Sequence, residues 1–479
     1  MPTASRTGPD ARLARVRFRR ALTLLGMTLL VPGSAQLVAG RKQVGRIAMR
    51  IWFALVGTLA LVVLIGLLWP GFIYWLLSNT FMLGLIRLVL FGLAVGWAAL
   101  LVDAWRLGQP LELMQKQRLV MVGLNGFLCF SVAGTLLFAS HVVAVQRDFI
   151  TAMFGDGVVT NANHGRYNVL LLGGDSGADR WGLRPDSITV ASIDEVTGHT
   201  ILFGLPRNMA DFPFADGSVM AEQFPDGFDC EGCYLNGLST WAGDNPELFA
   251  EYDDPGVEAT IEGVEGITGL EINYHAIVNL KGFRNLVDAV GGVRMNVRDR
   301  IPIGGVGAPV TGYIEPGVQR LDGFQTLWFA RSRESADDYS RMARQKCVMS
   351  AMLEQLSPRV VVTKFEKIAR ASQDVISTNL PAAELGRFAE LALKAKTQPL
   401  ATVSFVPPLV NTAAPDIDLI QGRVAAAVER SESRGDGSSP SRREPPVGAT
   451  TRPVTTGGSI GSLADGYAAN EAEDLSTVC

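Results

Sequence analysis

"YNVLLLGGDSGADRWGLRPDS", residues 167–187, decides the fold. Its first six residues form a short apolar run of the kind that makes a buried strand, and the glycine pair at 173–174 punctuates its end. The loop behind it carries Asp175, Asp179, Arg180, Arg184 and Asp186. Two more strand candidates follow, "SITVASI" (187–193) and "TILFGL" (200–205), and the turn-rich "DEVTGH" between them predicts a hairpin. If the first two strands are neighbours, Asp175 and Asp186 meet at one edge of the sheet. Paired carboxylates with open positions suit Mg²⁺, which keeps several waters and binds through one or two acids plus substrate phosphate. The plainer alternative is a turn-capping acid and a second acid paired with Arg184.

Downstream, "NYHAIVNL" (273–280) reads as a strand and "KGFRNLVDAV" (281–290) as a helix stopped by Gly291 and Gly292, with the strand "VRMNV" (293–297) after it. Helical spacing then dominates in "DGFQTLWFA" (322–330), "RMARQKCVMSAMLEQL" (341–356), "KFEKIARASQDVI" (364–376) and "AAELGRFAELALKA" (382–395), before "ATVSFVPPLV" (401–410) restores a strand. Residues 167–430 therefore form an α/β domain, a central mixed sheet flanked by helices. From Ser431 to Cys479 the Ser, Gly, Pro and Thr content predicts a disordered tail, because such a stretch buries too little apolar surface to offset its ordering entropy.

The chain of 479 residues has only 19% charged residues, and most of its apolar excess lies before residue 146. Stretches at 51–77, 81–102 and 119–145 are each long enough to cross a bilayer, which takes about 20 residues of helix. A fourth, at 21–39, is interrupted by "VPGSAQ" and reads as re-entrant or partial. Cytoplasmic flanks carry the excess Lys and Arg. Such residues crowd the N-terminus at 1–20, the linker at 41–50 and the loop before the last span (Arg106, Lys116, Arg118). Three crossings place a connector at 146–166, and all that follows it, outside the membrane. The expected location is thus the cell membrane, multi-pass, with the α/β domain extracytoplasmic. The net charge of −4 argues against a nucleic-acid partner, which would demand a basic footprint.

Familiar catalytic patterns are scarce. The four histidines (His141, His164, His199, His275) give a Ser-His-Asp triad little support, no Walker lysine follows Gly173 and Gly174, and no GxSxG elbow occurs. "CEGC" (230–233) has zinc-ligand spacing, but no second pair or nearby His completes four ligands, so a disulfide involving Cys230 or Cys233 is expected.

Arginine and carboxylate at the ends of apolar elements stand out instead. Arg207 follows the strand "TILFGL", a weak signal taken alone. "WFARSRESADDYSRMARQKC" (328–347) is denser, with Arg331, Arg333, Asp337, Asp338, Arg341, Arg344 and Gln345. A helix beginning near Ser340 turns Arg341 and Gln345 to the same side as Met349 and Met352, and Cys347 to the opposite side. Inward arginines need a partner, a helix N-terminus favours an anion, and guanidinium forks match phosphate oxygens. An internal salt-bridge network among Arg331, Arg333, Asp337 and Asp338 is the competing account. Acids for a metal plus several arginines describe a phosphate or pyrophosphate site, the equipment phosphoryl transfer requires. Outside the membrane, lipid-linked phosphates are the available substrates.

These residues resemble the LytR-CpsA-Psr family of cell-wall ligases. The resemblance runs in order through "NVLLLGGDS", "RPDSITVASID", "GLPRNM", "VNLKGFRNLVDAVGGV", "YIEPGVQRLDGFQTLWFARSR" and "DDYSRMARQ". It implies a pocket for a polyprenyl chain, and transfer of a glycopolymer phosphate from a polyprenyl-pyrophosphate carrier to a peptidoglycan sugar hydroxyl with Mg²⁺. By the same resemblance Asp175 and Asp186 are the metal ligands, Arg207 is the catalytic arginine, and Asp338 orients an arginine or the acceptor hydroxyl. Arg331, Arg333, Arg341, Arg344 and Gln345 are the pyrophosphate-binding set, with Arg184 or Arg180 replacing an arginine the family often carries close behind the first acid, where this chain has Ser176 and Gly177. A further departure is Asn208 where the family commonly has Asp. The rival readings are a polyprenyl-pyrophosphate phosphatase, with water as acceptor, and a non-catalytic lipid- or polymer-binding envelope regulator, which would not need Asp175, Asp186 and Arg207 together.

Overall fold

The computed structural model describes residues 9–154, 158–175, 184–305, 309–334, 337–355, 376–435, 468–477 and 479. The chain divides into two compact units, Met1–Ile150 and Thr151–Cys479.

The first unit is helical: α1 (Pro9–Leu30), α2 (Ser34–Val38), α3 (Lys42–Leu68), α4 (Pro70–Ser78), α5 (Thr80–Leu107) and α6 (Gln115–Met153). Three of these, α3, α5 and α6, are long and apolar enough to cross a membrane. The stretch expected as one span at 51–77 is divided. Pro70, which lacks an N–H and clashes with the turn before it, opens α4 after α3 has ended at Leu68. The interruption inside 21–39 falls at Val31–Gly33, where Gly33 adopts φ 95° between α1 and α2. Helix α6 runs on to Met153, so the first part of the expected connector at 146–166 is helical.

The second unit is built on a seven-stranded mixed sheet. Its strands are β1 (Arg166–Asp175), β2 (Arg184–Asp194), β3 (Thr200–Leu205), β4 (Tyr274–Asn279), β9 (Ile376–Thr378), β10 (Ala401–Ser404) and β11 (Glu471–Ala472), in the order β11-β10-β3-β2-β1-β4-β9. β2 and β3 pair antiparallel as the hairpin expected across "DEVTGH", β1 pairs antiparallel with β2, and β4 joins β1 and β10 joins β3 in parallel. The remaining strands make two ribbons outside this sheet: β5 (Val293–Val297) with β8 (Gly317–Leu321), and β6 (Ile301–Ile303) with β7 (Gly312–Ile314).

Alternation along the strands assigns the two faces. Leu170, Leu172, Val190, Ile201 and Phe203 face a core closed by α7 (Val219–Gln223), α8 (Leu238–Asp244), α9 (Pro255–Thr268) and the helix Ile417–Gly435. Leu171, Ala191 and Leu202 face the other core, closed by α10 (Leu280–Val290), α11 (Gly323–Arg331) and α12 (Asp338–Gln355). Asp322 and Gln325 form a reciprocal capping box that starts α11, and Gly291 at φ 93° ends α10. The helix expected at 364–376 lies outside the described residues apart from Ile376, which begins β9.

The expected disordered tail, 431–479, needs correction at both ends. Ser431 lies within the helix Ile417–Gly435, where its hydroxyl meets His199 Nδ1 at 2.8 Å. Residues 471–472 add β11 to the sheet edge, Ala469 and Leu475 are buried, and Cys479 is disulfide-bonded to Cys347. Composition averages over the whole stretch and so misses a few apolar residues and a cysteine that pack and pair with distant parts of the fold. The other disulfide joins Cys230 to Cys233.

Candidate active site

The glycine pair that ends the apolar part of β1 creates an irregularity in the ladder. Gly173 pairs with Ser187 but Gly174 pairs with Pro185, so Asp186 is the extra residue of a bulge. A bulge re-aims a side chain out of the regular alternation. Here it brings the Asp186 carboxylate to Arg207, whose Nη1 donates to Asp186 Oδ1 in a short ion-pair contact. A side chain at Gly173 would press on Ser187 Cβ at 3.2 Å, so the missing Cβ keeps the strands close where the bulge begins.

Arg207 lies just past β3, behind Pro206. Its backbone is pinned by Asn236, whose N–H donates to the Arg207 carbonyl at 3.0 Å. On its other side is Asp338, the first residue of α12. Asp338 Oδ1 lies 3.6 Å from Arg207 Nε and 3.9 Å from Arg333 Nη1, and Asp338 Oδ2 accepts from Arg341 Nη2 at 3.0 Å. One carboxylate thus gathers three guanidiniums. Arg341 is 3% exposed. Burial pulls its pKa down, while Asp338 and Asp186 pull it up and Arg207 and Arg333 oppose them. Arginine stays protonated in proteins, so the consequence is a buried cation in want of counter-charge. Arg207 Nε and Asp338 Oδ1 face each other at 3.6 Å, just beyond hydrogen-bond length, and Arg341 Nε is buried without a hydrogen-bond acceptor among the described residues. Buried polar atoms are nearly always paired, so such an orphan marks a place a ligand completes.

Arg341 and, from the end of α11, Arg331 line a pocket of about 210 Å³ between the sheet and α10–α12. Its polar lining is Asp186, Ser187, Thr189, Asn279, Arg331, Arg341 and Gln345, and Leu172, Phe283, Leu327, Val348 and Met349 are among its apolar walls. On α12 the positions 341, 345, 348 and 349 share one face, as helical rotation predicts, although the helix starts at Asp338, two residues earlier than expected.

The other expected site residues fall as follows. Arg331 is exposed, 5.8 Å from the Trp328 ring. Gln345 lines the pocket while its Nε2 donates to the Ala330 carbonyl at 3.2 Å. Arg184 is exposed at the start of β2, opposite Asp175 in the register. Asp175 closes β1, and Ser176, Gly177 and Arg180 lie outside the described residues. Asn208 is exposed.

Arg344 departs from the pyrophosphate-binding set. It is 1% exposed and donates to the carbonyls of Phe329 and Ser332 and, at 3.0 Å, to Ser340 Oγ, which binds the C-terminal end of α11 to α12. Its turn of the helix points at α11 rather than into the pocket. Asp337 is likewise structural here, accepting the Ser340 N–H at 2.7 Å at the head of α12. Sequence reasoning overlooks Lys346, which is 1% exposed beside these residues.

Asp186 supplies a hard carboxylate that is 41% exposed, and the backbone of Asp175 lies on the adjacent strand β1. No group of three or more His, Cys, Asp or Glu side chains gathers among the described residues. A carboxylate of this kind fits a cation that is held by one or two acids, keeps waters and takes phosphate oxygens.

Residues 140–413 match the model of the LytR_cpsA_psr family, more than half of the chain. The chain belongs to this family. Among its curated relatives are Biofilm regulatory protein A of Streptococcus mutans, 25% identical over 270 residues, and the polyisoprenyl-teichoic acid–peptidoglycan teichoic acid transferase TagV of Bacillus subtilis, 28% identical over 141 residues. The matches cover 55% and 29% of this chain and 62% and 36% of those proteins, so the chain spans less than two thirds of either relative. The crystal structure of B. subtilis TagV aligns over 57% of this chain and 98% of its own, with 19% identity and a TM-score of 0.42.

Proposed function

We propose that this family member is a phosphotransferase that moves a glycopolymer phosphate from a polyprenyl-pyrophosphate carrier to a sugar hydroxyl of peptidoglycan. The observation that carries the reading is the buried Nε–H of Arg341, without an acceptor among the described residues, in the lining of a largely apolar pocket, with Arg207 and Arg333 drawn beside it by Asp338. The carrier's isoprenoid fills the pocket beside Phe283, Leu327 and Met349, and its pyrophosphate meets the guanidiniums of Arg207, Arg331, Arg333 and Arg341. The transferase named among the relatives supports the choice of substrates.

In the step, the acceptor hydroxyl oxygen forms a bond to the phosphorus that carries the glycopolymer. The bond from that phosphorus to the bridging oxygen breaks, and the bridging oxygen keeps the electron pair. The hydroxyl proton ends on the departing phosphate, so the products are the linked polymer and polyprenyl phosphate. The arginines neutralise charge spread over the phosphate oxygens, which is most of what phosphoryl transfer asks of a protein. Asp338 holds three of them in one geometry and offers Oδ1 to the acceptor hydroxyl. Asp186 and Asp175 would hold Mg²⁺, which, when bound, supplies further neutralisation of the phosphates. The basic flanks, read as cytoplasmic, support a reaction outside the membrane with α3, α5 and α6 as a multi-pass anchor.

The test is incubation of the full chain in detergent with Mg²⁺, a polyprenyl-pyrophosphate glycan and peptidoglycan fragments. The expected result is a linked product, read by mass, that forms only when acceptor is present. Release of polyprenyl phosphate without linked product would assign a pyrophosphatase, and donor bound but unprocessed would assign a binding protein.

A further inference from the structure

Asp338 is the first residue of α12, and the first turn of a helix is where the backbone is held least, because its N–H groups have no intrahelical partners. Asp337 answers one of these, accepting the Ser340 N–H at 2.7 Å, but that bond is local to the helix. It does not fix the helix head against the sheet, where Arg207 follows β3. The separations show that something else does. Within α12, Asp338 closes on Arg341 to 3.0 Å, whereas its pairs with Arg207 and Arg333, which lie outside the helix, stand at 3.6 and 3.9 Å. Charged pairs free to close settle at about 2.7–2.9 Å. The wider gaps are therefore set by the backbones that carry the groups.

Two residues distant in sequence join those backbones through Tyr339, the neighbour of Asp338. The first is Thr412, in the segment after β10. Its carbonyl accepts the N–H of Ala210, three residues past Arg207, at 2.9 Å, and its hydroxyl lies 3.2 Å from the Tyr339 hydroxyl. One buried threonine thus grips both sides of the Arg207–Asp338 pair. The second is Asn470, also buried, whose Nδ2 donates to the Tyr339 carbonyl at 3.0 Å. Its amide is oriented for this: Oδ1 accepts from Lys346 Nζ at 3.3 Å and from Ser404 Oγ at 3.2 Å, which turns the NH2 end toward Tyr339. Neither residue lines the pocket. Asn470 also lies beyond the residues 140–413 that match the family, in the stretch whose composition reads as disordered.

We propose that Thr412 and Asn470 are positioning residues of the transfer site: through Tyr339 they set where Asp338 stands against Arg207 and Arg333. The role rests on the phosphotransferase reading given above. A displacement of ~1 Å at a reacting group can cost about 10²-fold in rate, so loss of either tie lowers turnover. Donor binding, which the arginines and the apolar walls supply, changes less. The Thr412 and Tyr339 hydroxyls share one bond, so removing both costs no more than removing one.

The experiment compares the full chain in detergent with Thr412→Val, Tyr339→Phe, the two combined, and Asn470→Ala. kcat and the donor KM are read from linked product, and amide hydrogen exchange over residues 338–345 is read by mass spectrometry. Each variant is expected to lose roughly ten-fold in kcat, with the donor KM within about two-fold of native and faster exchange at the head of α12. The combined variant matches the single ones, and Thr412→Ser, which keeps a hydroxyl, restores kcat. Asn470→Ala takes an acceptor from buried Lys346; should it fail to fold, Thr412→Val and Tyr339→Phe, which remove only hydroxyls, still decide. Native kcat in those two variants, additive losses when they are combined, or a loss confined to KM overturns the proposal. A native chain that forms no linked product overturns the phosphotransferase reading itself, an outcome read on the unmutated protein and so distinct from the others.

Discussion

Asp338 shows how one side chain can organise a site: its two oxygens lie within 4 Å of guanidinium nitrogens from Arg207, Arg333 and Arg341. Replacing it by Asn removes the charge that holds three like charges together while keeping its shape. Transfer by Asp338→Asn is expected to fall by roughly 10²-fold, the scale seen when one group that stabilises transition-state charge is lost, and a steady-state rate assay checks it. The neighbouring arginines separate by role. Arg331 is exposed at the pocket and Arg344 is buried on carbonyls of Phe329 and Ser332. Arg331→Ala therefore weakens donor binding, read by titration, with the melting temperature unchanged. Arg344→Ala leaves buried carbonyls unpaired, at about 1–3 kcal/mol each, and is expected to lower the melting temperature by several degrees. Both arginines stand in one dense run of charge. Only the fold shows that one reaches the pocket and the other ties two helices together.

At the scale of elements, α12 does two jobs with two faces. One face presents Arg341, Gln345, Val348 and Met349 to the pocket. The other packs Lys346 and Cys347 against β3, β10 and residues 468–479, and Gly204 makes room there, since a Cβ on it would come within 2.8 Å of Lys346 Nζ. Burial pushes the Lys346 pKa down to about 7. Unfolded, the group titrates at its ordinary value of 10.5, so between pH 7 and that value the unfolded chain binds more protons and stability rises with pH. Below pH 7 the folded chain carries the buried charge and gains nothing further from acid. Lys346→Met is expected to flatten this rise in melting temperature between pH 7 and pH 10, as a thermal scan at stepped pH would read; an unchanged slope would assign the rise to other groups. The alternating runs of β1 to β3 and the helical stripe of α12 are readable in sequence because burial on each face imposes a period of 2 or 3.6. The bulge at Gly173 is not, since pairing register depends on a partner strand. Lys346 is hidden for a similar reason: a lysine on a helix ordinarily reads as solvated, and only the packing of a distant segment buries it.

Across the whole chain, the ordered C-terminus is the main departure from what composition suggests. A two-residue edge strand has no periodicity to detect, and the Cys347–Cys479 bond ties the segment back to α12 across 132 residues of separation. Closing a loop of that size removes denatured-state entropy worth up to about 5 kcal/mol in the chain-entropy picture, and typically about 2–4 in measurements. Cys479→Ser should therefore lower the melting temperature of the oxidised protein while leaving the pocket residues in place, and reductant should do the same to the native chain and nothing further to the variant. The residues proposed to handle phosphate come from β2, the turn after β3, and both ends of the α11–α12 connection, segments spread over more than 150 residues yet joined by ion pairs at one mouth. The central claim is that this mouth performs phosphoryl transfer, and Arg207→Ala tests it most directly. With a polyprenyl-pyrophosphate glycan, Mg²⁺ and peptidoglycan fragments, donor binding by the variant should remain measurable while linked product, quantified by mass, falls by roughly 10²–10³-fold. Linked product formed at the native rate would contradict the account.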